Sequence, residues 1–189
     1  MNTEVVFIVM KTEEIKLVLI GNRHAKTRYE ALCHPVVAAG IFIDIPISFE
    51  KTLEWCKTVA DCPNRYDFCL ELDGEAVGFC GLVNVNAKNG TCELYLFLHP
   101  SFFGRGFGSK CLRCVLDFAK YELNLRKITL YVTGKNEKAL SLYKKFGFVK
   151  EGCLVDHVWF RGQYRNRYIL SVFLDTFEEN PEVFYWNNI

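Results

Sequence analysis

Two dipeptides, Asp73-Gly74 and Asn89-Gly90, constrain this chain more than any other feature of its sequence. Asp-Gly and Asn-Gly supply the left-handed backbone that tight hairpins demand, and strand-like runs flank both. Tyr66–Leu72, Glu75–Val85 and Thr91–Leu98 therefore read as a three-strand antiparallel meander. The pattern then changes. The third strand runs through His99-Pro100 into a glycine loop, Gly104-Arg105-Gly106-Phe107-Gly108, which opens a helix over about Ser109–Leu123. Cys111, Leu112, Val115, Leu116, Phe118 and Ala119 give that helix one broad apolar face. Lys127–Val132 is the next strand. Asn136 caps a helix over Glu137–Phe146, and Gly147 stands where a left-handed C-terminal cap belongs. Phe148–Val149 begins a further strand, and Val155–Phe160 pairs with Tyr164–Phe173 across Arg161-Gly162.

The N-terminal part is less regular. Val5–Val9 reads as a short strand, and Thr12 with Glu13 and Glu14 opens a helix through about Leu19. Thr27–Leu32 is a weaker helical stretch. Gly40 and Pro46 break the apolar run Val36–Ile47, which reads as extended chain. Ser48 caps a helix whose inner face carries Leu53, Cys56, Val59 and Ala60, and Pro63-Asn64 ends it. With 189 residues, half of them apolar, and no linker or internal repeat, one mixed α/β domain is expected over residues 1–175. Residues 176–189 form an acidic, then aromatic tail.

Composition narrows the function. The longest uncharged apolar stretch, Val36–Ile43, is too short to span a bilayer, and Met1–Met10 lacks a basic segment and a cleavage site, so neither a membrane protein nor a secreted one is expected. A net charge of +1 argues against a nucleic-acid coat. That sum conceals a basic block: residues 101–167 hold 14 Lys and Arg against 5 Asp and Glu, beginning near the glycine loop. Nine cysteines at irregular spacing do not suggest a disulfide framework. Cys111 and Cys114 form C-x-x-C, but no second ligand pair among His24, His34, His99 and His157 completes a zinc site. No metal is expected, and the thiols read as small core residues of a protein in a reducing cytoplasm.

A glycine loop between strand and helix lets backbone amides approach an anion, and the helix N-terminus adds about half a positive charge. Arg105 and Lys110 add full charges. No Gly-Lys-Ser/Thr closes a P-loop, and the antiparallel meander disfavours a dinucleotide fold. Glu93–Pro100 followed by Phe103-Gly104-Arg105-Gly106-Phe107-Gly108-Ser109 resembles motif A of the GNAT family of N-acetyltransferases. About 30 residues on, Asn136-Glu137-Lys138-Ala139-Leu140-Ser141-Leu142-Tyr143-Lys144-Lys145-Phe146-Gly147-Phe148 is similar to its motif B. One position departs: Phe103 stands where that family has Arg or Gln.

The resemblance implies a central, mostly antiparallel sheet of about seven strands, with one splayed parallel pair and flanking helices. It implies acetyl-coenzyme A, with coenzyme A as product. The pyrophosphate would meet the amides of Arg105, Gly106, Phe107, Gly108 and Ser109. Leu96, Phe97, Leu98, Phe103, Gly104, Asn136 and Lys145 complete the expected cofactor site. Acetyl transfer needs a deprotonated amine and a protonated leaving thiolate. Tyr143 matches the family's acid, although by pattern alone it belongs equally to the Ala139/Leu142/Phe146 core face. Glu93 matches the family's base, and a carboxylate is feeble in that role at neutral pH unless its surroundings raise its basicity. Its other reading is a solvated strand carboxylate, and His99 and His157 are alternatives.

The stretch Ile45-Pro46-Ile47-Ser48-Phe49-Glu50 through Trp55, with Asn64-Arg65-Tyr66-Asp67-Phe68, is similar to the branch of ribosomal-protein alanine acetyltransferases. Within it the resemblance points to enzymes of the pseudaminic-acid pathway that acetylate the 4-amino group of a UDP-linked sugar. Tyr95, Trp159, Arg161 and Tyr164 are then the expected substrate-side residues, since arginine pairs phosphate and aromatics stack on a base. The hairpin arginines, Arg161, Arg165 and Arg167, have another reading as outward turn residues. The alternatives are a protein N-terminal acetyltransferase and a non-catalytic acyl-coenzyme A binder. Expected partners are a small-molecule amine and a second copy in a homodimer, with no nucleic acid and no membrane.

Overall fold

Asp73 and Gly74 both have positive φ, 51° and 81°, and close a hairpin in which Leu72 faces Glu75. This turn joins β3 (Tyr66–Leu72) to β4 (Glu75–Asn86), and Gly90, at φ 63°, lies in the turn to β5 (Thr91–Leu98). The expected meander is present. The structure is a computed structural model and describes residues 6–10, 15–43, 46–177 and 183–185. β6 (Lys127–Val132), β7 (Val149–Phe160) and β8 (Gln163–Phe173) extend the sheet on one side. On the other side lie β2 (Ile15–Leu19), β1 (Val6–Met10) and β9 (Val183–Tyr185). The order is β7-β8-β6-β5-β4-β3-β2-β1-β9, so the seven strands β2–β8 gain two more at one edge. β9 belongs to the segment read as a tail, and pairs antiparallel with β1.

Every pairing is antiparallel except β5 with β6. That parallel contact covers three residue pairs, Thr91–Lys127, Cys92–Ile128 and Glu93–Thr129. Beyond it β5 stays with β4 and β6 stays with β8, leaving a slot between Leu94–Leu98 and Leu130–Val132. Side chains alternate across a strand, so β5 serves two cores. Leu94, Leu96 and Leu98 pack with α4 (Phe107–Asp117) and α5 (Glu137–Lys145) on one face. Tyr95 and Phe97 pack on the other, under α1 (Ala25–Cys33), α2 (Pro35–Ile41) and α3 (Phe49–Thr58). Leu112 and Leu116 of α4 are fully buried, each contributing about 1.5–3 kcal/mol over an exposed position.

Three local expectations are corrected. Ile15–Leu19 is a strand, because β3 offers it five register partners and Gly21 leaves too little chain for a stable helix; Thr12, Glu13 and Glu14 lie outside the described residues. The run starting at Val36 is largely helical. Pro35 occupies the first turn of α2, the His34 ring accepts from the Val36 amide, and Phe42 closes the helix at φ 56°. The long helix after the glycine loop is α-helical only to Asp117, and a π-helical turn over Phe118–Glu122 completes it.

Candidate active site

The glycine loop and the slot meet in one cavity of about 560 Å³. Leu94–Leu98, Gly104, Gly106, Gly108, Ser109, Asn136 and Tyr143 line its α4/α5 side and the slot itself. Glu93, Tyr95, Tyr131 and Arg167 line it with Val36, Val37, Gly40, Ile41 and Phe42 from α2 and its end. The cavity thus passes through the sheet.

Gly104 and Gly106 have φ of 75° and 82°. A Cβ on either would meet no atom within 4 Å, so backbone conformation rather than crowding calls for glycine. Gly106 caps α4, accepting from the amides of Ser109 at 3.0 Å and Lys110 at 3.3 Å. Among the described residues the amides of Arg105, Gly106, Phe107 and Gly108 donate to no main-chain carbonyl, an arrangement suited to an anion at a helix start. Ser109 differs from expectation, because its amide is engaged within the turn. Phe107 is buried and anchors the loop rather than lining the cavity. The Arg105 guanidinium lies 5.3 Å from the Phe102 ring centre and 5.2 Å from that of Phe107. Phe103 lines the cavity, so an apolar ring stands where the motif usually has a polar side chain. Lys145 is exposed and outside the lining.

Tyr143 is 7% exposed, and burial, reinforced by nearby Cys111, pushes its phenol well above the usual tyrosine range. The phenol therefore holds its proton, and the residue lines the cavity. Asn136 accepts from the Ala139 amide at 3.2 Å, fixing the start of α5, and its amide nitrogen lies 3.5 Å from where a Cβ on Gly40 would sit.

Glu93 enters from the α2 face. Opposite it, β4 is irregular between Val83 and Asn86, and Asn84 has φ 53°. From that position Asn84 Nδ2 donates to Glu93 Oε1 at 3.0 Å. Tyr95 donates to Asp67 Oδ1 at 2.5 Å, and Asp67 is gripped by Arg65 through Nε at 2.6 Å and Nη2 at 2.9 Å. Desolvation is the main reason the Tyr95 hydroxyl also keeps its proton. Gly81 leaves room for this arrangement, since a Cβ there would run into the Tyr95 ring.

The other expected residues lie outside the cavity lining. His99 Nδ1 accepts from the Ser101 amide at 3.4 Å, and His157 is exposed on β7. Trp159 and Tyr164 are exposed on the β7–β8 hairpin with ring centres 5.0 Å apart, and Arg161 sits in its turn at φ 47°. The reading of the sequence missed α2 as a cavity wall, and with it Asn84 and Tyr131; Arg167, one of the hairpin arginines considered for phosphate, lines the cavity, whereas Arg65 and Asp67 stood only within the branch-like stretch Asn64–Phe68. The positive-φ asparagine in a strand was the one local sign available for Asn84. Cys111 and Cys114 are fully buried, and among the described residues no group of three or more His, Cys, Asp and Glu could hold a metal.

Comparison with known proteins agrees with this geometry. The chain is 35% identical to spermidine N(1)-acetyltransferase of Escherichia coli K12 over 106 residues, 56% of this chain and 57% of that protein. It is 34% identical to the Vibrio cholerae enzyme over 120 residues, 63% of this chain and 69% of that one. The match thus spans under two thirds of the E. coli enzyme. The crystal structure of V. cholerae spermidine N-acetyltransferase with CoA and spermine superposes with a TM-score of 0.78 at 25% identity, over 84% of this chain and 95% of that one. A dodecameric structure of that enzyme shares the fold, with a TM-score of 0.72 at 23% identity over 87% and 98% of the chains. Residues 39–148, more than half of the chain, match the acetyltransferase (GNAT) family, and the chain belongs to it.

Proposed function

We propose that this chain is an acetyl-coenzyme A-dependent N-acetyltransferase acting on the primary amine of a small molecule. One observation carries the reading: a single cavity joins an anion cradle on one face of the sheet to a carboxylate on the other. The amides of Arg105–Gly108, the α4 N-terminus and the Arg105 charge suit a pyrophosphate, with Phe103, Gly104 and Ser109 around them. Leu96, Phe97 and Leu98 offer a strand edge without a partner on the slot side, and Asn136 lies beside it. Acetyl-coenzyme A, when bound, supplies the acyl group as an activated thioester.

The chain's own groups then move two protons. Glu93 accepts the amine proton at a carboxylate oxygen, directly or through water, while Asn84 holds Oε1 in place. Tyr143 Oη donates a proton to the departing thiolate from the opposite face. Main-chain amides near Leu96–Phe97 polarise the acyl carbonyl.

For the acceptor, polyamines are what the named relatives act on. Our narrower reading is a nucleotide-linked amino sugar. Its support is the sequence resemblance together with Arg167 in the cavity wall, a group suited to phosphate. On a long acceptor the base would extend toward Trp159, Arg161 and Tyr164. We also propose a homo-oligomer built through the exposed β7 edge, where Val155 and Trp159 are 71% and 58% exposed. The nine free thiols suit a reducing cytoplasm. No helix among the described residues is long and apolar enough to cross a membrane.

The test is a thiol-release assay with acetyl-coenzyme A against polyamines, free amino sugars, UDP-linked 4-amino sugars and N-terminal peptides. Turnover of a small primary amine is expected. Stabilisation by coenzyme A without thiol release on the whole panel would make the chain a binder only. Turnover confined to peptides would make it a protein N-terminal acetyltransferase.

A further inference from the structure

Arg167 is the one charged side chain of the α2 half of the cavity that takes no part in the proposed proton transfers. It lies on β8, opposite Leu154 of β7 and one residue before the Tyr168–Val132 pair that ends β6. Its guanidinium carbon sits 4.5 Å from the Tyr131 ring centre and 5.8 Å from that of Phe42, so the side chain leans between β6 and the end of α2. Its Nε is buried and has no hydrogen-bond partner among the described residues. Desolvation pulls the group below the usual arginine range, but a guanidinium stays charged at any physiological pH.

A charged donor in such a wall calls for an anionic acceptor. Glu93 is the only acidic residue lining the cavity among the described residues; its charge acts favourably on Arg167, but its hydrogen bond comes from Asn84. Coenzyme A's phosphates have their own cradle at the glycine loop, on the far face of the sheet. A fully cationic acceptor such as a polyamine would bring like charge to Arg167 and to Lys138, the other basic residue of the lining.

We infer that Arg167 forms an anion subsite in the acceptor half of the cavity, so that the amine acetylated here also carries a carboxylate or a phosphate. This rests on the acetyltransferase reading and narrows its substrate class. The guanidinium fork takes the two oxygens of the anion and orients the amine toward Glu93, with the Tyr131 and Phe42 rings confining the fork.

The experiment uses amines in pairs that differ only in the anion: amino acids against their decarboxylated amines, and glucosamine against glucosamine 6-phosphate. The two kinds of pair separate a carboxylate from a phosphate. Binding to the full chain saturated with coenzyme A is measured by calorimetry, and turnover by thiol release. The expected result is about tenfold or tighter binding of the anionic member of at least one kind of pair. Arg167→Gln removes that preference while the member lacking the anion keeps its affinity within about threefold, and Arg167→Lys restores part of it. Equal binding of both members, binding of neither in any pair, or equal loss of both in Arg167→Gln overturns the inference. Preferential binding without thiol release sustains the subsite and defeats the acetyltransferase reading; turnover without preference does the reverse.

Discussion

Asn84 Nδ2 donates to Glu93 Oε1 at 3.0 Å from a left-handed residue in the middle of a strand. The irregularity in β4 re-aims one amide onto one carboxylate, a use of strand bulges common beside reactive sites. Asn84→Asp places a second carboxylate against Glu93 and disfavours its ionised form. The acid limb of the kcat/KM profile is expected to move to higher pH in this variant, whereas Asn84→Ala, which adds no charge, moves it less. An unshifted acid limb in Asn84→Asp would remove Glu93 from the proton path.

Tyr143→Phe deletes one oxygen from a buried ring without opening a cavity. Turnover is expected to fall about 10²–10⁴-fold, the usual worth of a positioned general acid. Coenzyme A affinity should stay within about threefold, since the phenol is not part of the anion cradle. Single-turnover kinetics with calorimetric coenzyme A binding separates the two, and parallel losses would assign Tyr143 to cofactor binding.

Gly106→Ala isolates backbone strain from crowding, because nothing lies within 4 Å of the added carbon. A left-handed alanine costs about 1–2 kcal/mol, so loop and cradle distort together. Coenzyme A affinity should drop about tenfold or more, while Gly21→Ala, equally uncrowded but not left-handed, leaves it unchanged. Isothermal titration on the two variants decides the matter.

Stability has its own pH dependence, set far from the cavity. His24 is buried, accepting from the Gly21 amide at Nδ1 (2.9 Å) and donating from Nε2 to Glu71 Oε1 (2.7 Å). Desolvation holds its pKa below the ordinary 6.5 despite the raising effect of Glu71. The unfolded chain therefore takes up a proton that the folded chain refuses. The contribution of His24 is complete above about pH 6.5 and is lost as pH falls through the lower folded value. The thermal midpoint should decline on acidification below 6.5, with a shallower slope in His24→Gln; identical slopes would place the acid sensitivity elsewhere.

The sequence revealed those parts of the fold that depend on neighbouring residues. Asp73-Gly74 announces its hairpin because two adjacent left-handed residues are needed and few pairs provide them. Asn136 and Gly147 bracket α5 for similarly local reasons. The run Val36–Ile47 reads as extended because Gly40 and Pro46 interrupt it, and its helical part, up to Ile41, has no polar face to give it a period. It is stabilised by Pro35 and His34 at its start and by packing against β5. Ile15–Leu19 became a strand because β3 lay waiting for it, which a window of ten residues does not contain. At the site, Gly104, Gly106 and Tyr143 stood out as motif positions. Arg167 stood out only as one of three hairpin arginines, and its place in the cavity wall was not legible, since that comes from Tyr131 and Phe42, 36 and 125 residues away in sequence.

In the proposed reaction, the parting of β5 from β6 after three residue pairs gives the chain two doors. A donor entering past the glycine loop and an acceptor entering beneath α2 need not pass one another, so neither has to leave before the other arrives. Traffic of that kind favours a ternary complex over a covalent relay. It also lets the acceptor entrance, framed by α2 and β8, be remodelled without disturbing the donor entrance. A lineage could thus change which amines it modifies while retaining one way of holding the acyl donor.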